Sequence, residues 1–186
     1  MWETASPRTG PLSWTVWVVS FLLTSFHFFA IIHIEGDIMT YIEIQDKLNI
    51  LIGQKLTDIL TACEMLRFYF DKGDGIHSLC LTRIRKNEDI LFTTFDYQNW
   101  DEEIDTNNDE WYHLNKFKND IVGGIVTTIK VTPSKDLILH LDNEVIIEFF
   151  IANGYFHFGE DNEQWRYMSA DKNHIVINSK SVEVYE

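Results

Sequence analysis

The spacing of the apolar residues along this chain changes near residue 39. Before it, residues 14–34 form one run of 21 residues without a formally charged side chain. After it, apolar residues first recur every three or four positions and then, further along, at every second position. The first spacing is typical of one face of an α-helix, and the second of a half-buried β-strand. The pattern therefore predicts an apolar segment, then a helix, then a series of strands.

The predicted helix begins directly after Met39. Residues 40–43 read Thr-Tyr-Ile-Glu, the spacing of a capping box. In such a box the threonine oxygen accepts a hydrogen bond from the third helical residue, and the glutamate bonds back to the cap. Gly53 suits the left-handed position that ends many helices, so we expect about three turns. The apolar face of this helix consists of Tyr41, Ile44, Leu48 and Leu51.

Alternating segments fill most of the remaining chain. They predict strands at residues 65–71, 76–84, 89–97, 124–132, 136–141, 144–151 and 174–179. Turn residues at 71–75 join the first two strands into a hairpin, and Asp142-Asn143 does the same within residues 136–151. Residues 55–63 fit either a helix or a strand. The predicted fold class is α+β, a mainly antiparallel sheet with one N-terminal helix packed on or beside it.

Residues 98–120 differ from their surroundings in being polar and acidic. We expect a long loop here, with a short helix near its end. Its aromatic residues stand among acids and are not needed for a sheet core, which makes the loop a candidate interaction surface. These residues are Trp100, Trp111, Tyr112 and Phe117.

The apolar run at residues 14–34 allows two interpretations. It is long enough for a helix that crosses a bilayer core of about 30 Å, with Trp14 and Trp17 at an interface. Arg8 on its N-terminal side then favours an N-inside, single-pass orientation. A cleavable signal peptide fits poorly, because no A-x-A-like site follows the run. In this interpretation residues 1–38 are a membrane anchor for a single globular domain at residues 39–186.

The second interpretation is that Met39 is the true start of the protein. The residues Glu-Gly-Asp-Ile-Met at 35–39 can be encoded by GAAGGAGATATAATG. That string contains a purine-rich ribosome-binding sequence shortly before an ATG. Residues 1–38 would then be translated upstream DNA, and the protein would be cytoplasmic. Both interpretations place the beginning of the folded domain near Thr40.

The charge of the chain bears on its partners. Residues 39–186 carry 26 acidic and 14 basic residues, and the whole chain has a formal net charge of −14. An acidic surface disfavours nucleic acid, which is bound through lysine and arginine. It favours a basic protein partner, or serves only solubility.

No motif points to catalysis, a metal or a cofactor. The chain contains no G-x-S-x-G, no P-loop and no G-x-G-x-x-G, and Gly123-Gly124 is expected to serve a turn. Residues 105–110 resemble a calcium loop, but Glu110 stands where glycine is required. Cys63 and Cys80 are too few for a zinc site and could be free thiols or, outside the cytoplasm, a disulfide. A folded sheet could still gather three histidines into a metal or hydrolytic site: His140, His157 and His174.

The most distinctive short stretch is residues 163–168, Glu-Gln-Trp-Arg-Tyr-Met. A tryptophan beside an arginine is typical of binding hot spots, so Trp165 and Arg166 are candidate partner-binding residues. The alternative is that Trp165 fills the core while Arg166 pairs with an acid such as Glu163.

These residues carry a resemblance to a group of small uncharacterised bacterial proteins, covering residues 41–186. That group has a helix followed by a sheet, a terminal E-x-W-R-like element and a later "H-hydrophobic-V" strand. The matching positions here are Glu163, Trp165, Arg166, His174 and Val176. The resemblance implies no activity. By analogy, small acidic bacterial proteins often act as immunity proteins that neutralise a toxin.

Three functions follow as hypotheses. The first is a non-enzymatic α+β binding domain, immunity-type, that uses the acidic loop against a basic protein. The second is a small hydrolase or metal-dependent enzyme that uses at least two of the sheet histidines. The third is a membrane-anchored extracytoplasmic domain, which requires that residues 1–38 are expressed.

Overall fold

The computed structural model describes residues 39–62, 64–97, 110–152 and 161–185. All of them belong to one compact unit, Gly36–Glu186. The described elements are α1 (Tyr41–Leu48), β1 (Leu56–Ala62), β2 (Met65–Phe70), β3 (Gly75–Ser78), β4 (Leu81–Lys86), β5 (Asp89–Thr93), α2 (Tyr112–Ile121), β6 (Val126–Val131), β7 (Leu137–Leu141), β8 (Val145–Phe150), β9 (Glu163–Met168), β10 (His174–Asn178) and β11 (Val182–Tyr185). The α+β class and the antiparallel pairing are therefore confirmed.

The capping box at the start of α1 forms as predicted. The Glu43 N–H donates to Thr40 Oγ1 at 3.3 Å, and the Thr40 N–H donates to Glu43 Oε2 at 2.7 Å. The helix is shorter than expected, because it continues after Leu48 as a 3₁₀ turn, Asn49–Leu51. Gly53 lies beyond that turn with a φ of +83°, the left-handed conformation that glycine was expected to supply.

The strands form two sheets rather than the one expected. The first sheet has the order β1-β2-β3-β9-β10-β11, and the second has the order β5-β4-β8-β7-β6. Their inner faces share one core, in which Phe68 of β2 meets Phe149 of β8 edge-on at 5.2 Å between ring centroids. Alternation along each strand places one apolar face in this core and leaves the other face outside.

The predicted strand at residues 76–84 is broken, and its two halves lie in different sheets. The N–H groups of Leu79 and Cys80 both donate to the carbonyl of Gln164, at 2.8 and 2.9 Å. This holds the chain in a corner between β3 and β4. The hydroxyls of Ser78 and Thr82 are hydrogen-bonded to each other across that corner, with their oxygens 2.7 Å apart. An uninterrupted alternating pattern does not reveal such a change of sheet.

Several other expectations change in detail. The segment that fits either a helix or a strand contains the strand β1, Leu56–Ala62, and the strand predicted at 89–97 ends at Thr93 in a 3₁₀ turn, Thr94–Asp96. The short helix expected near the end of the polar loop is α2, ten residues long. The strand β11 was not anticipated. The hairpin at 136–151 is confirmed as β7 and β8.

The two sheets are hydrogen-bonded to each other along one edge. Next to the start of β1, the Gly53 N–H donates to the Val126 carbonyl at 2.8 Å, and the Val126 N–H donates to the Gln54 carbonyl at 2.9 Å. The Leu56 N–H donates to the Gly124 carbonyl at 2.9 Å. The edges of β1 and β6 therefore satisfy each other where they meet.

The side chain of Gln45 covers the remaining edge of β6. Its Oε1 accepts a hydrogen bond from the Val131 N–H at 2.7 Å, and its Nε2 donates to the Ile129 carbonyl at 3.1 Å. A side-chain amide thus makes the pair of bonds that a neighbouring strand would make. This contact holds α1 against the second sheet.

The apolar run at residues 14–34 lies outside the described residues, and so does the boundary between residues 38 and 39. Of the helices that the structure describes, neither has the length and apolar character needed to span a bilayer.

A buried carboxylate joins the residues that precede β1 to two turns of the first sheet. Asp74 is 3% exposed and accepts hydrogen bonds from Gln54 Nε2 at 2.6 Å, the Tyr167 hydroxyl at 2.7 Å and the Ala170 N–H at 3.1 Å. Burial raises the pKa of Tyr167, and the bond to Asp74 raises it further. The network thus fixes the β2–β3 turn against the β9–β10 turn.

We expect Asp74→Ala to destabilise the protein by about 2–4 kcal/mol, because it removes the carboxylate that accepts from the buried Tyr167 hydroxyl and leaves the Gln54 amide with the Ile50 carbonyl as its remaining acceptor. Equilibrium unfolding in urea measures this change. Asp89→Ala removes an exposed aspartate of β5 and serves as the control, with an effect within about 0.5 kcal/mol. Equal losses from the two variants would contradict a structural role for the Asp74 network.

Candidate functional site

The structure describes four of the five predicted partner-binding residues. Trp111 and Trp165 are buried, at 5% and 0% exposure, while Tyr112 and Arg166 are half-buried. Trp100 lies outside the described residues. Trp165 faces the core and donates its indole N–H to the Lys135 carbonyl at 3.0 Å. It therefore offers no surface to a partner, whereas its neighbour Arg166 points to the opposite side of the sheet.

Trp111 forms the wall of a hollow at the end of the molecule where β3 turns into β4. Its ring packs against Phe92 at 5.9 Å and Tyr97 at 5.0 Å between centroids. The hollow has a volume of about 380 Å³. We call it the Phe95 hollow, and its main lining residues are Leu79, Cys80, Leu81, Phe95, Tyr97 and Trp111.

Phe95 is the most exposed large apolar residue among those described, at 85% exposure. It is presented by a firmly held turn. The Phe95 N–H donates to Thr93 Oγ1 at 3.2 Å, while the Thr93 N–H donates to Asp96 Oδ2 at 2.7 Å, a second capping box. Leu79, 50% exposed, lies at the same hollow. Two apolar side chains are thus held in solvent beside a concave surface, as in many protein-binding sites.

The T-x-x-D spacing of Thr93 and Asp96 is a signal by which this turn could have been found from sequence. The segment was interpreted as a continuous strand because its residues, Thr-Thr-Phe-Asp-Tyr, favour strands. In a strand, the side chains of Phe95 and its neighbours would point to opposite faces in alternation. The 3₁₀ turn instead directs the Phe95 side chain into solvent.

An acidic segment separates two residues that line the Phe95 hollow. Residues 98–110 contain six acidic and no basic residues. The residues that flank this segment, Tyr97 and Trp111, are in ring contact at 5.0 Å between centroids, and both line the hollow. Residues 98–109 themselves lie outside the described residues.

Cys80 lies in the same hollow as a free thiol that is 7% exposed. Burial raises the pKa of Cys80 to about 11. Only the thiolate is a strong nucleophile, so this thiol is a poor one at neutral pH. Cys63 lies outside the described residues.

Arg166 lies on the outer face of the first sheet. Its Nε donates to Glu163 Oε1 at 2.5 Å, the ion pair that was one of the two predicted alternatives. Together they border a second hollow of about 420 Å³, which we call the Glu183 hollow. Its lining includes Asp161, Glu163, Arg166, Asn178, Glu183 and Tyr185.

His77 stands between two arginines on neighbouring strands. Its cross-strand partners are Arg67 on β2 and Arg166 on β9. Burial lowers the pKa of His77 most, followed by the charges of Arg166 and Arg67; His174 lowers it slightly and Glu163 raises it. The folded state therefore disfavours protonated His77, and stability falls as the pH drops below about 6.5, the ordinary value for histidine.

We expect Arg166→Gln to raise the pKa of His77, because it removes the positive charge that lowers this pKa most. An NMR titration of the His77 ring protons measures this. Lys130→Gln removes a cation from the second sheet and should leave the titration unchanged. An unaltered His77 titration in Arg166→Gln would show that burial alone sets its pKa.

Two of the three histidines proposed for a catalytic or metal site are described, and they lie in different sheets. His140 lies in β7 of the second sheet and His174 in β10 of the first, while His157 is outside the described residues. In residues 39–62, 64–97, 110–152 and 161–185, no three His, Cys, Asp or Glu side chains are grouped as metal ligands. The calcium-like stretch at 105–110 falls almost wholly outside these ranges.

Comparison with known proteins gives no match: no protein-family model, no curated protein and no solved structure matches this chain. The resemblance to small bacterial proteins therefore stays a prediction.

Proposed function

We propose that this protein is a non-enzymatic binding domain for a basic protein partner, which docks on the Phe95 hollow. The observation that carries the proposal is the 85% exposure of Phe95 on a hydrogen-bonded turn beside that hollow. Without a partner, the Phe95 ring is in contact with water. A partner that covers both Phe95 and Leu79 removes their apolar area from water.

Charge supports a basic partner. The segment that joins the hollow-lining residues Tyr97 and Trp111 contains six acidic and no basic residues, and the net charge of the chain is −14. Negative charge would accelerate association with a cationic partner and make it sensitive to salt. Trp100 and Tyr112 stay predicted partner-binding residues, whereas Trp165 is buried and does not belong to the proposed surface.

An immunity-type role is the narrower form of the proposal. In that form the partner is a toxin, and binding blocks it. The analogy with small acidic bacterial proteins supports this form, and it requires no catalytic residue in this chain.

We expect Phe95→Ala to weaken partner binding by about tenfold or more, as truncation of an interface hot spot does. The measurement is quantitative capture, at low ionic strength, of proteins from the organism that carries the gene. Ile90→Ala is the matched control, since Ile90 is also exposed, at 57%, but lies outside the hollow.

The captured protein should be basic, should dissociate at high salt, and should be retained by Ile90→Ala. Capture of no basic protein at low salt, or equal retention by Phe95→Ala and wild type, would overturn the proposal.

A further inference from the structure

The edges of the two sheets are unequally covered. The strands at the ends of the sheets are β1 and β11 in the first and β5 and β6 in the second. The edges of β1 and β6 meet in hydrogen bonds, and Gln45 covers more of β6. Helix α2 packs against β5. Within the described part of the chain, β11 pairs with β10 alone.

The backbone of β11 is directed outward at alternate residues. The Asn178 N–H donates to the Ser181 carbonyl at 3.0 Å, which sets the phase of the β10–β11 ladder. Bonded and non-bonded pairs alternate in antiparallel strands. Glu183 and Tyr185 therefore bond towards β10, and the N–H and C=O groups of Val182 and Val184 point away from the sheet. They offer a row of donors and acceptors to an added strand.

The two faces beside this edge differ in chemistry. On the outer face, the Glu183 hollow is lined by three carboxylates, one arginine and one histidine: Asp161, Glu163, Glu183, Arg166 and His174. Glu163 is neutralised by Arg166, but the hydrogen-bond donors to Glu183 are the neutral Asn178 amide and Tyr185 hydroxyl. This face therefore attracts a cationic side chain.

The inner face beside β11 presents aliphatic residues among polar ones. A smaller hollow of about 160 Å³ lies there, between α1 and the end of the first sheet. Its lining includes Ile50 and Val184, which are 58% and 42% exposed, together with Tyr167 and Ile175. The polar residues of the same lining are Lys47, Ser169, Asn173 and His174. An aliphatic side chain placed here would remove exposed apolar area from water.

We propose that β11 binds an extended segment of a partner protein as an added strand, with basic and apolar residues in alternation. Successive side chains of a strand point to opposite faces, so such a segment places its basic residues over the Glu183 hollow and its apolar residues over the Ile50–Val184 surface. Backbone hydrogen bonds to Val182 and Val184 supply the register. This site shares no lining residue with the Phe95 hollow and stands or falls independently of the proposed function.

The occupant is a basic partner rather than a second copy of this chain. Two copies would bring together two molecules of net charge −14 and oppose the Glu183 carboxylates along the joined edges. Like charges at such short range oppose association.

A labelled peptide of alternating lysine and valine tests the proposal, with the full-length protein and fluorescence anisotropy at low ionic strength. We expect saturable binding that weakens at high salt. A block peptide with the same composition cannot place charge on one face and should bind at least about tenfold more weakly, about 1.4 kcal/mol. Equal binding of the two peptides would show a merely electrostatic association and overturn strand addition.

Val184→Pro removes the outward N–H of β11, a change that an edge strand tolerates. It should weaken binding of the alternating peptide by about tenfold or more. The Val184 N–H no longer donates to the added strand, and the proline ring displaces the backbone beside it. Val184→Thr keeps both the N–H and the branched side chain and is the matched control. Equal binding by wild type, Val184→Pro and Val184→Thr would overturn the proposal.

Thermal unfolding shows whether the Val184→Pro protein is folded. If it is not, the Glu183→Lys variant still tests the proposal. The charge reversal should weaken the lysine–valine peptide and strengthen a glutamate–valine peptide. No change in this preference contradicts the assignment of the outer face. Sedimentation that shows a wild-type dimer lost in Val184→Pro would instead make the occupant a second copy and overturn the proposal.

Discussion

The hydrogen bonds between the start of β1 and the start of β6 are the constraint on which the two-sheet arrangement depends. At Gly124, whose carbonyl accepts a hydrogen bond from the Leu56 N–H, an added Cβ would lie 2.4 Å from Asn143 Oδ1 and 2.9 Å from Leu141 Cβ. A larger residue would therefore displace the side chains of Asn143 and Leu141 beside this junction. A second connection between the sheets is the corner at Leu79–Cys80, where the chain passes from β3 to β4. Between these two connections the inner faces of the sheets enclose one core that contains Phe68 and Phe149.

That closure decides which surfaces remain for partners. Gln45 covers part of the edge of β6, β1 is joined to β6, and α2 packs against β5, so within the described residues β11 is the edge strand of the first sheet that pairs with β10 alone. At another end, the turn after β5 holds Phe95 in solvent beside a concave surface. The two binding proposals rest on these two surfaces, and the net charge of −14 favours a cationic partner for each of them.

Local signals in the sequence predicted what local interactions determine. The capping box of Thr40 and Glu43, the hairpin at residues 136–151 and the antiparallel class all follow from short-range spacing. The corner at Leu79–Cys80 could not be predicted from short-range spacing, because residues on both sides of a change of sheet can keep alternating between buried and exposed. Trp165 and Arg166 are distinctive in the sequence, yet periodicity could not say which of the two side chains faces the core. The contact of Gln45 with β6 joins residues more than eighty positions apart, and no single-chain pattern encodes it.

Amide hydrogen exchange, read residue by residue, tests the central claim that β11 is the open edge. The Val131 N–H, bonded to Gln45 Oε1 at 2.7 Å, should exchange slowly, as should the amides of β10 that bond to neighbouring strands. The Val182 and Val184 amides should exchange at rates close to those of an unstructured chain, and should become protected when the lysine–valine peptide binds. Protection of Val184 equal to that of Val131 in the free protein would show that the edge is already covered and would contradict the account.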